Sequence, residues 1–411
     1  MSVKQKILIL QADSNGCYPI PAVKGGAVST LVEHLVEGNN KQQLADLTIM
    51  SYYNKKAAKK AAASYPNIHF IWVKRPIAIR ISDWVILHAV KLLMPKKKLI
   101  SFISIASLLW YIWKASRILK KNKFDKIVLQ NNMPLAWAIK LSKYDGEYFY
   151  HLHNTPRTNV RCQEVFDNCT AYLCVSQSVG DDICSPSNPI GPVPREKIRI
   201  LFNCIETDLF KKQTIDEKAL RERLGIGLND HIIAYVGRLS PEKGVDKLIK
   251  SLEYVKTKNV KVFIVGAMVY VGNVKDQYQQ ELVDLTKQYK DQVSFTGYIP
   301  QSELPKIYNI ADLSVLPSMW DEPAGLTMIE SMACGTPVIT TNSGGIPEYV
   351  GDCAVVLDRN DDLTKNIAIN IDRLLNDKVL YDDYSQCGIK RIRDNFSSED
   401  YINRFCEAIG I

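Results

Sequence analysis

Several patterns are missing from the 411 residues, and each absence removes a class of protein. No Asp-x-Asp triplet occurs, so the usual carboxylate platform for a divalent metal beside phosphate groups is lacking, and neither a metal nor another cofactor is expected. No Gly-x-Gly-x-x-Gly follows the first apolar run or appears in the second half, which argues against a dinucleotide-dependent hydride-transfer enzyme. None of the ten cysteines lies in a Cys-x-x-Cys pair, and Cys174 and Cys334 sit inside apolar runs where a free thiol packs as a small hydrophobe. The thiols are therefore expected to be reduced and the chain cytoplasmic. The first apolar stretch is too short for a signal-peptide core, and no small-residue cleavage site follows it, so export is not expected. An uncharged run at residues 99–113 falls short of the roughly 20 residues needed to span a bilayer. There is no repeat, sustained heptad or low-complexity segment.

What remains is an ordinary globular composition, 46% apolar, in a chain long enough for two cores. The net charge of +8 is unevenly spread: residues 1–205 hold 28 Lys/Arg against 13 Asp/Glu, and residues 206–411 hold 24 against 31. Residues 41–126 alone carry 18 basic and 3 acidic side chains, which predicts a strongly basic surface on the N-terminal half. No recognisable nucleic-acid module accompanies this charge, so an anionic lipid or glycolipid is the better partner and nucleic acid is not expected. For the run at 99–113, preceded by Lys96, Lys97 and Lys98, two readings stand: a mostly buried helix, or a surface helix resting on anionic lipid. The expected location is the cytoplasm, with peripheral contact at the inner membrane face. Nothing in the sequence speaks to oligomeric state.

Short β-branched runs alternate with amphipathic stretches. Residues 6–10, 47–53, 68–73, 126–130, 147–153, 171–176 and 198–203 read as one series of strands, and 231–237, 260–266, 293–297, 313–317, 337–341 and 354–357 as a second. The fold class is α/β, two doubly wound Rossmann-like domains with parallel sheets and a ligand cleft at the carboxyl ends of their strands. The boundary is placed near 204–216, giving domains 1–205 and 206–397, with the last helix, about 398–411, a candidate to cross back onto the first.

Chemistry concentrates in the second domain. At Tyr235-Val236-Gly237-Arg238-Leu239-Ser240-Pro241-Glu242-Lys243-Gly244 a strand ends in glycine, and two cations follow five residues apart. A planar guanidinium and a compact ammonium suit the growing negative charge of a departing diphosphate. Further on, Glu322, Pro323, Ala324, Gly325, Leu326 and Thr327 lead into a helix expected to begin near Gly325, whose free N–H groups form an anion site. Glu330 lies eight residues after Glu322, about 12 Å if the stretch were helical throughout.

The pattern G-R-x-x-x-x-K-G, then E-P-x-G-L-x-x-x-E-x-M-A-x-G-x-P-V-I, then Gly344-Gly345-Ile346-Pro347-Glu348, resembles glycosyltransferase family 4. That resemblance implies the GT-B fold, retention of anomeric configuration, a nucleotide-sugar donor in the C-terminal domain and an acceptor held mainly by the N-terminal one. It implies that Arg238 and Lys243 hold the diphosphate, Glu322 the donor-sugar hydroxyls and Glu330 the ribose. The resemblance covers the C-terminal domain almost entirely and touches the N-terminal one only at landmarks. Gly25 and Gly26 open a helix after the first strand, where backbone can approach a phosphate or sugar. His153 ends a strand on the same face as His151 and is compatible with the family's histidine beside the transferring sugar, whereas His151 reads as structural. Asn203-Cys204 and Ala324 depart from the family's usual Asn-Gly and Phe.

The expected function is therefore transfer of a hexose from a nucleotide diphosphate sugar, UDP favoured, to a saccharide or lipid-linked saccharide in capsule, exopolysaccharide or cell-envelope synthesis. Alternatives are a non-catalytic nucleotide-binding subunit of a glycosylation complex and, on the same fold, a nucleotide-sugar epimerase or a phosphorylase, the last disfavoured by length and by the Glu-x7-Glu spacing.

Overall fold

The computed structural model describes residues 4–93, 102–266 and 277–411. The chain divides into two compact units, one formed by Met1–Asn203 with Ser398–Ile411, the other by Cys204–Ser397.

Unit 1 runs β1 (Lys6–Leu10), α1 (Ala27–Gln42), β2 (Asp46–Tyr52), α2 (Lys55–Ser64), β3 (His69–Val73), α3 (Ile77–Leu93), α4 (Ile105–Lys121), β4 (Lys126–Gln130), α5 (Ala136–Ser142), β5 (Glu147–Leu152), α6 (Gln163–Asp167), β6 (Ala171–Cys174), α7 (Gln177–Cys184) and β7 (Ile198–Ile200). Its seven strands lie in the order β3-β2-β1-β4-β5-β6-β7, all parallel. Unit 2 runs α8 (Glu217–Leu224), β8 (His231–Val236), α9 (Val245–Ser251), β9 (Val260–Val265), α10 (Gln277–Thr286), β10 (Val293–Gly297), α11 (Leu304–Ile310), β11 (Leu313–Leu316), α12 (Leu326–Ala333), β12 (Val338–Thr341), α13 (Ile346–Val350), β13 (Val355–Leu357), α14 (Leu363–Asn376) and α15 (Lys378–Asn395). Its order is β10-β9-β8-β11-β12-β13, again parallel.

Strands such as Lys6–Leu10 and His231–Val236 are buried along almost their whole length because helices cover both faces, which is why they read as apolar runs and not as alternating ones. Each sheet reverses winding direction once, between β1 and β4 in unit 1 and between β8 and β11 in unit 2. In doubly wound sheets ligands bind outside the carboxyl ends of the strands at such a switch point. Gln11 and Asn131 stand there in unit 1, Gly237 and Pro317 in unit 2.

The last helix, α16 (Tyr401–Ala408), belongs to unit 1 and packs on α1. A Cβ on Gly38 of α1 would stand 2.6 Å from the Ile402 side chain, so glycine permits this close crossing. Arg199 at the end of the sheet donates to the carbonyl of Ala408 at 2.6 Å.

Two sequence expectations need correction. Cys353 and Cys387 form a disulfide joining the start of β13 to α15, with Cα atoms 5.2 Å apart, so the thiols are not all free; cysteine spacing in the chain gives no hint of a pair brought together only by packing. The run at 99–113 extends in part outside the described residues; from Ile105 it belongs to α4, which buries Leu108, Tyr111, Ile112 and Ala115 but exposes Leu109 and Trp113. The charge-free run is therefore neither wholly buried nor wholly superficial. Among the described residues no helix is long and apolar enough to cross a membrane.

Candidate functional site

In unit 2 the site grows from two loops at the switch point. β8 ends at Val236, and Gly237 continues the ladder for one more bond, its N–H donating to the Val265 carbonyl at 3.0 Å. The chain then turns through Ser240 and a short 3-10 turn at Pro241–Lys243 into Gly244, whose φ of +66° lies in the left-handed region. A Cβ on Gly244 would collide with the carbonyl oxygen of Pro317, the residue just past β11. The N–H of Met319 donates to the Glu242 carbonyl at 2.8 Å, which laces the two loops together.

That lacing places Lys243 against Glu322. The ammonium lies 2.7 Å from Oε1 and 2.6 Å from Oε2 of the carboxylate, with both side chains largely shielded from solvent. The indole N–H of Trp320 donates to Oε2 at 2.6 Å, and the Lys243 amine stands 5.7 Å from the centre of the Trp320 ring. Glu322 is held from behind by glycines: the N–H of Gly345 donates to its carbonyl at 2.7 Å, and a Cβ on Gly344 would come within 2.6 Å of the same oxygen. The Gly344-Gly345 pair thus seats the Glu322 turn. Arg238 is exposed and paired with Glu242 at 3.1 Å, and the buried Ser240 hydroxyl between the two cations has no hydrogen-bond partner.

Helix α12 starts at Leu326 with Gly325 as its cap and no side-chain cap, leaving the first-turn N–H groups without a side-chain acceptor. Pro323, Ala324 and Gly325 form the approach and Thr327 the first turn. Because the helix begins only at Leu326, the assumption of one helix from Glu322 to Glu330 fails, and the 12 Å separation inferred from it is withdrawn. Glu330 is buried, only 4% exposed, and its carboxylate accepts from the Tyr308 hydroxyl at 3.2 Å and the Gln301 amide at 3.3 Å. Burial pushes its carboxyl up to about 7, with those two hydrogen bonds opposing the shift.

Unit 1 contributes the remaining residues. Gly25 and Gly26 have φ of +72° and +102° and lead directly into α1; a Cβ on Gly25 would meet nothing within 4 Å, so the backbone there is open to a ligand. Buried Glu33 fixes the preceding loop, accepting from the Ala22 N–H and the Tyr65 hydroxyl at 2.7 Å each. His153 follows β5, with its N–H bonded to Asn131 Oδ1 at 2.9 Å and its Nε2 3.0 Å from Gln130 Oε1. Its ring lies 4.1 Å from that of His151, and both are buried. Burial lowers the His153 imidazole to about 4, against a smaller opposing pull from Asn203, so the ring is neutral at pH 7. With Nε2–H donating to Gln130, Nδ1 carries the lone pair.

Within unit 2 the structure gathers Lys243, Glu322 and the α12 entrance; within unit 1 it gathers Gly25–Gly26 and, separately, the His153 cluster. Sequence reasoning missed Trp320, Tyr308, Gln301 and Gln130. Trp320 adjoins the motif, but Tyr308 lies 22 residues before Glu330 on another helix, where no spacing rule reaches it.

A cation seated on a carboxylate beside an open helix N-terminus, at the switch point of a doubly wound sheet, is an arrangement suited to an anionic ligand. Residues 216–391 match the family model described as glycosyl transferases group 1. The chain is similar to a putative glycosyltransferase, YtcC, of Bacillus subtilis, 24% identical over 92% of this chain and 86% of that one. It is also similar to the capsular polysaccharide biosynthesis glycosyltransferase CapM of Staphylococcus aureus, 32% identical over 64% of this chain and 65% of the relative. Anabaena HepE, solved in complex with UDP and glucose, superposes with a TM-score of 0.71 at 19% identity over 98% of this chain and 99% of that one. The fold is that of GT-B proteins, and the group 1 match at 216–391 together with the glycosyltransferase relatives supports a transferase enzyme.

Proposed function

We propose that this glycosyltransferase moves a hexose with retention of configuration from a nucleotide diphosphate sugar, UDP-linked by preference, to a saccharide or lipid-linked saccharide of the cell envelope. The observation that carries the reading is the Lys243–Glu322 pair at 2.6–2.7 Å beside the uncapped start of α12. The group 1 match, the capsular relative and the UDP complex of a structural neighbour support it.

In this reading the diphosphate draws on Lys243, Arg238, the Ser240 hydroxyl and the α12 N–H groups, while Glu322 turns to sugar hydroxyls and Glu330 receives the ribose. As the bond from the anomeric carbon to the diphosphate oxygen breaks, its electron pair leaves with the diphosphate, whose charge those donors stabilise. The acceptor hydroxyl forms the new bond on the same face and passes its proton to a leaving phosphate oxygen. Neutral His153 lies beside the transferring sugar in this reading. The protein groups supply the charge stabilisation, and neither a metal nor an enzymic nucleophile has a step. The work takes place at the inner face of the cytoplasmic membrane.

A thermal-shift panel in EDTA with UDP, GDP, ADP, TDP and their sugars tests the donor. A ligand at about 100 times its Kd adds about 2.7 kcal/mol, a clear shift. Selective stabilisation by UDP and one UDP-sugar is expected; indifference to every nucleotide defeats the reading. The anomeric configuration of the product, read by proton NMR, tests retention.

A further inference from the structure

Helix α3 presents its apolar side to solvent. Of its 17 residues only Asp83 is buried, while Ile77 is 73% exposed, Trp84 61% and Leu92 82%. Ile77, Ile81, Trp84, Val85, His88 and Leu92 fall within about 100° of arc at 3.6 residues per turn, and Arg80 and Lys91 border that stripe on one side. Trp84 and His88 lie against each other within it, ring centres 4.2 Å apart and tilted by 36°. The opposite side of α3 packs on α4, where Asp83 accepts from the Ser107 N–H at 3.1 Å.

Helix α4 adds a second feature. It exposes Leu109 and Trp113, and the Lys114 ammonium and Arg117 guanidinium sit 5.2 and 5.0 Å from the Trp113 ring centre. One turn further on, an open depression is lined by Trp113, Ser116, Arg117, Lys120, Lys121 and Leu141. Asp83 is the single acid of the two helices and is spent internally, so their exposed charge is entirely positive.

We propose that the α3 stripe and the basic depression of α4 dock this protein on an anionic phospholipid bilayer, apolar side chains entering the headgroup region and lipid phosphates seated among Arg117, Lys120 and Lys121. An aliphatic and indole stripe left in water is costly and marks an interaction surface. A helix lying in the interface combines such a stripe with flanking cations, and indole rings favour the headgroup level. A second copy of this chain would oppose six like charges on each side, and a nucleic acid has no use for the aliphatic stripe. The proposal deepens the reading of a lipid-facing transferase and is tested without nucleotide, so either can fail alone.

The full chain is centrifuged with vesicles of phosphatidylcholine and with one-to-one phosphatidylcholine–phosphatidylglycerol vesicles, at low and high salt. Binding to the mixed vesicles only, weakened by salt, is expected. Each cation at an anionic surface contributes about 1 kcal/mol, roughly fivefold, so Arg117→Ala/Lys120→Ala/Lys121→Ala should bind on the order of 100-fold more weakly. Ile81→Ser/Trp84→Ser/Leu92→Ser should lose at least roughly tenfold at either salt, since the stripe acts through apolar burial. Unchanged melting temperature and unchanged circular dichroism establish that both variants are folded. Wild-type protein that ignores the mixed vesicles, or variants that bind as wild type does, overturn the proposal. So does a wild-type dimer that the stripe variant abolishes without any vesicle binding.

Discussion

At the scale of single residues, the candidate site holds its charge as an ion pair between Lys243 and Glu322. Lys243 and the Trp320 indole both reach Glu322 at 2.6 Å, and a diphosphate bound there would share or replace that carboxylate. Lys243→Ala is expected to lower kcat by about 100–1000-fold, the usual loss for one donor to a developing anion, measured by steady-state kinetics with the donor that the thermal panel selects. Glu330 makes a different prediction. Its carboxyl titrates near 7 when folded against 4.5 when unfolded, so between these values the native state holds a proton that the unfolded chain has lost. Stability therefore falls as pH rises from about 4.5 to about 7 and levels off above. Glu330→Gln should flatten this part of the melting-temperature profile in calorimetry and weaken UDP binding. That Lys243 and Glu322 belong to one cluster was legible in sequence because both sit in spaced motifs. The partners of Glu322 and Glu330 were not: Trp320, Tyr308 and Gln301 are brought in by a turn and by neighbouring helices, and hydrogen-bonding partners across elements leave no periodic trace.

At the scale of elements, all thirteen strand positions were legible because parallel strands buried on both faces are short β-branched runs with turn residues at each end. Three match their expected limits and the others differ by one to three residues, mostly because the ladder stops before the apolar run does, as at Ile198–Ile200. The helices were harder to read. The exposure of the α3 stripe among the described residues comes from the fold, because periodicity reports that a face exists and not what lies against it. The loop carrying Lys243 depends on one glycine. Gly244→Ala places a Cβ against the Pro317 carbonyl and forces a left-handed φ on an L-residue, so a loss of about 1–3 kcal/mol is expected, read as a lower urea midpoint with unchanged m-value. Nucleotide affinity should fall with it, since the same contact sets the Lys243–Glu322 geometry.

At the scale of the whole molecule, the two-domain organisation was visible in the repetition of strand series and in the reversal of charge between halves. The return of the chain to unit 1 is physical and specific: Tyr401, Ile402, Phe405 and Cys406 are buried there although they lie some 200 residues from Asn203. Inside unit 2 the two connections leave side by side, with Ile205 N–H bonded to the Phe396 carbonyl at 2.9 Å. Deleting residues 398–411 should lower the melting temperature of unit 1 while unit 2, continuous in sequence, keeps its nucleotide response; calorimetry with and without UDP separates the two transitions. The same arrangement sets an order of events during synthesis. Unit 2 is complete before the ribosome reaches the segment that closes unit 1, and about 200 codons at about 5–20 residues per second mean a wait of roughly 10–40 seconds. Through that interval the face of α1 that α16 will cover stands open, so the nascent chain shows water an apolar surface that the finished unit hides.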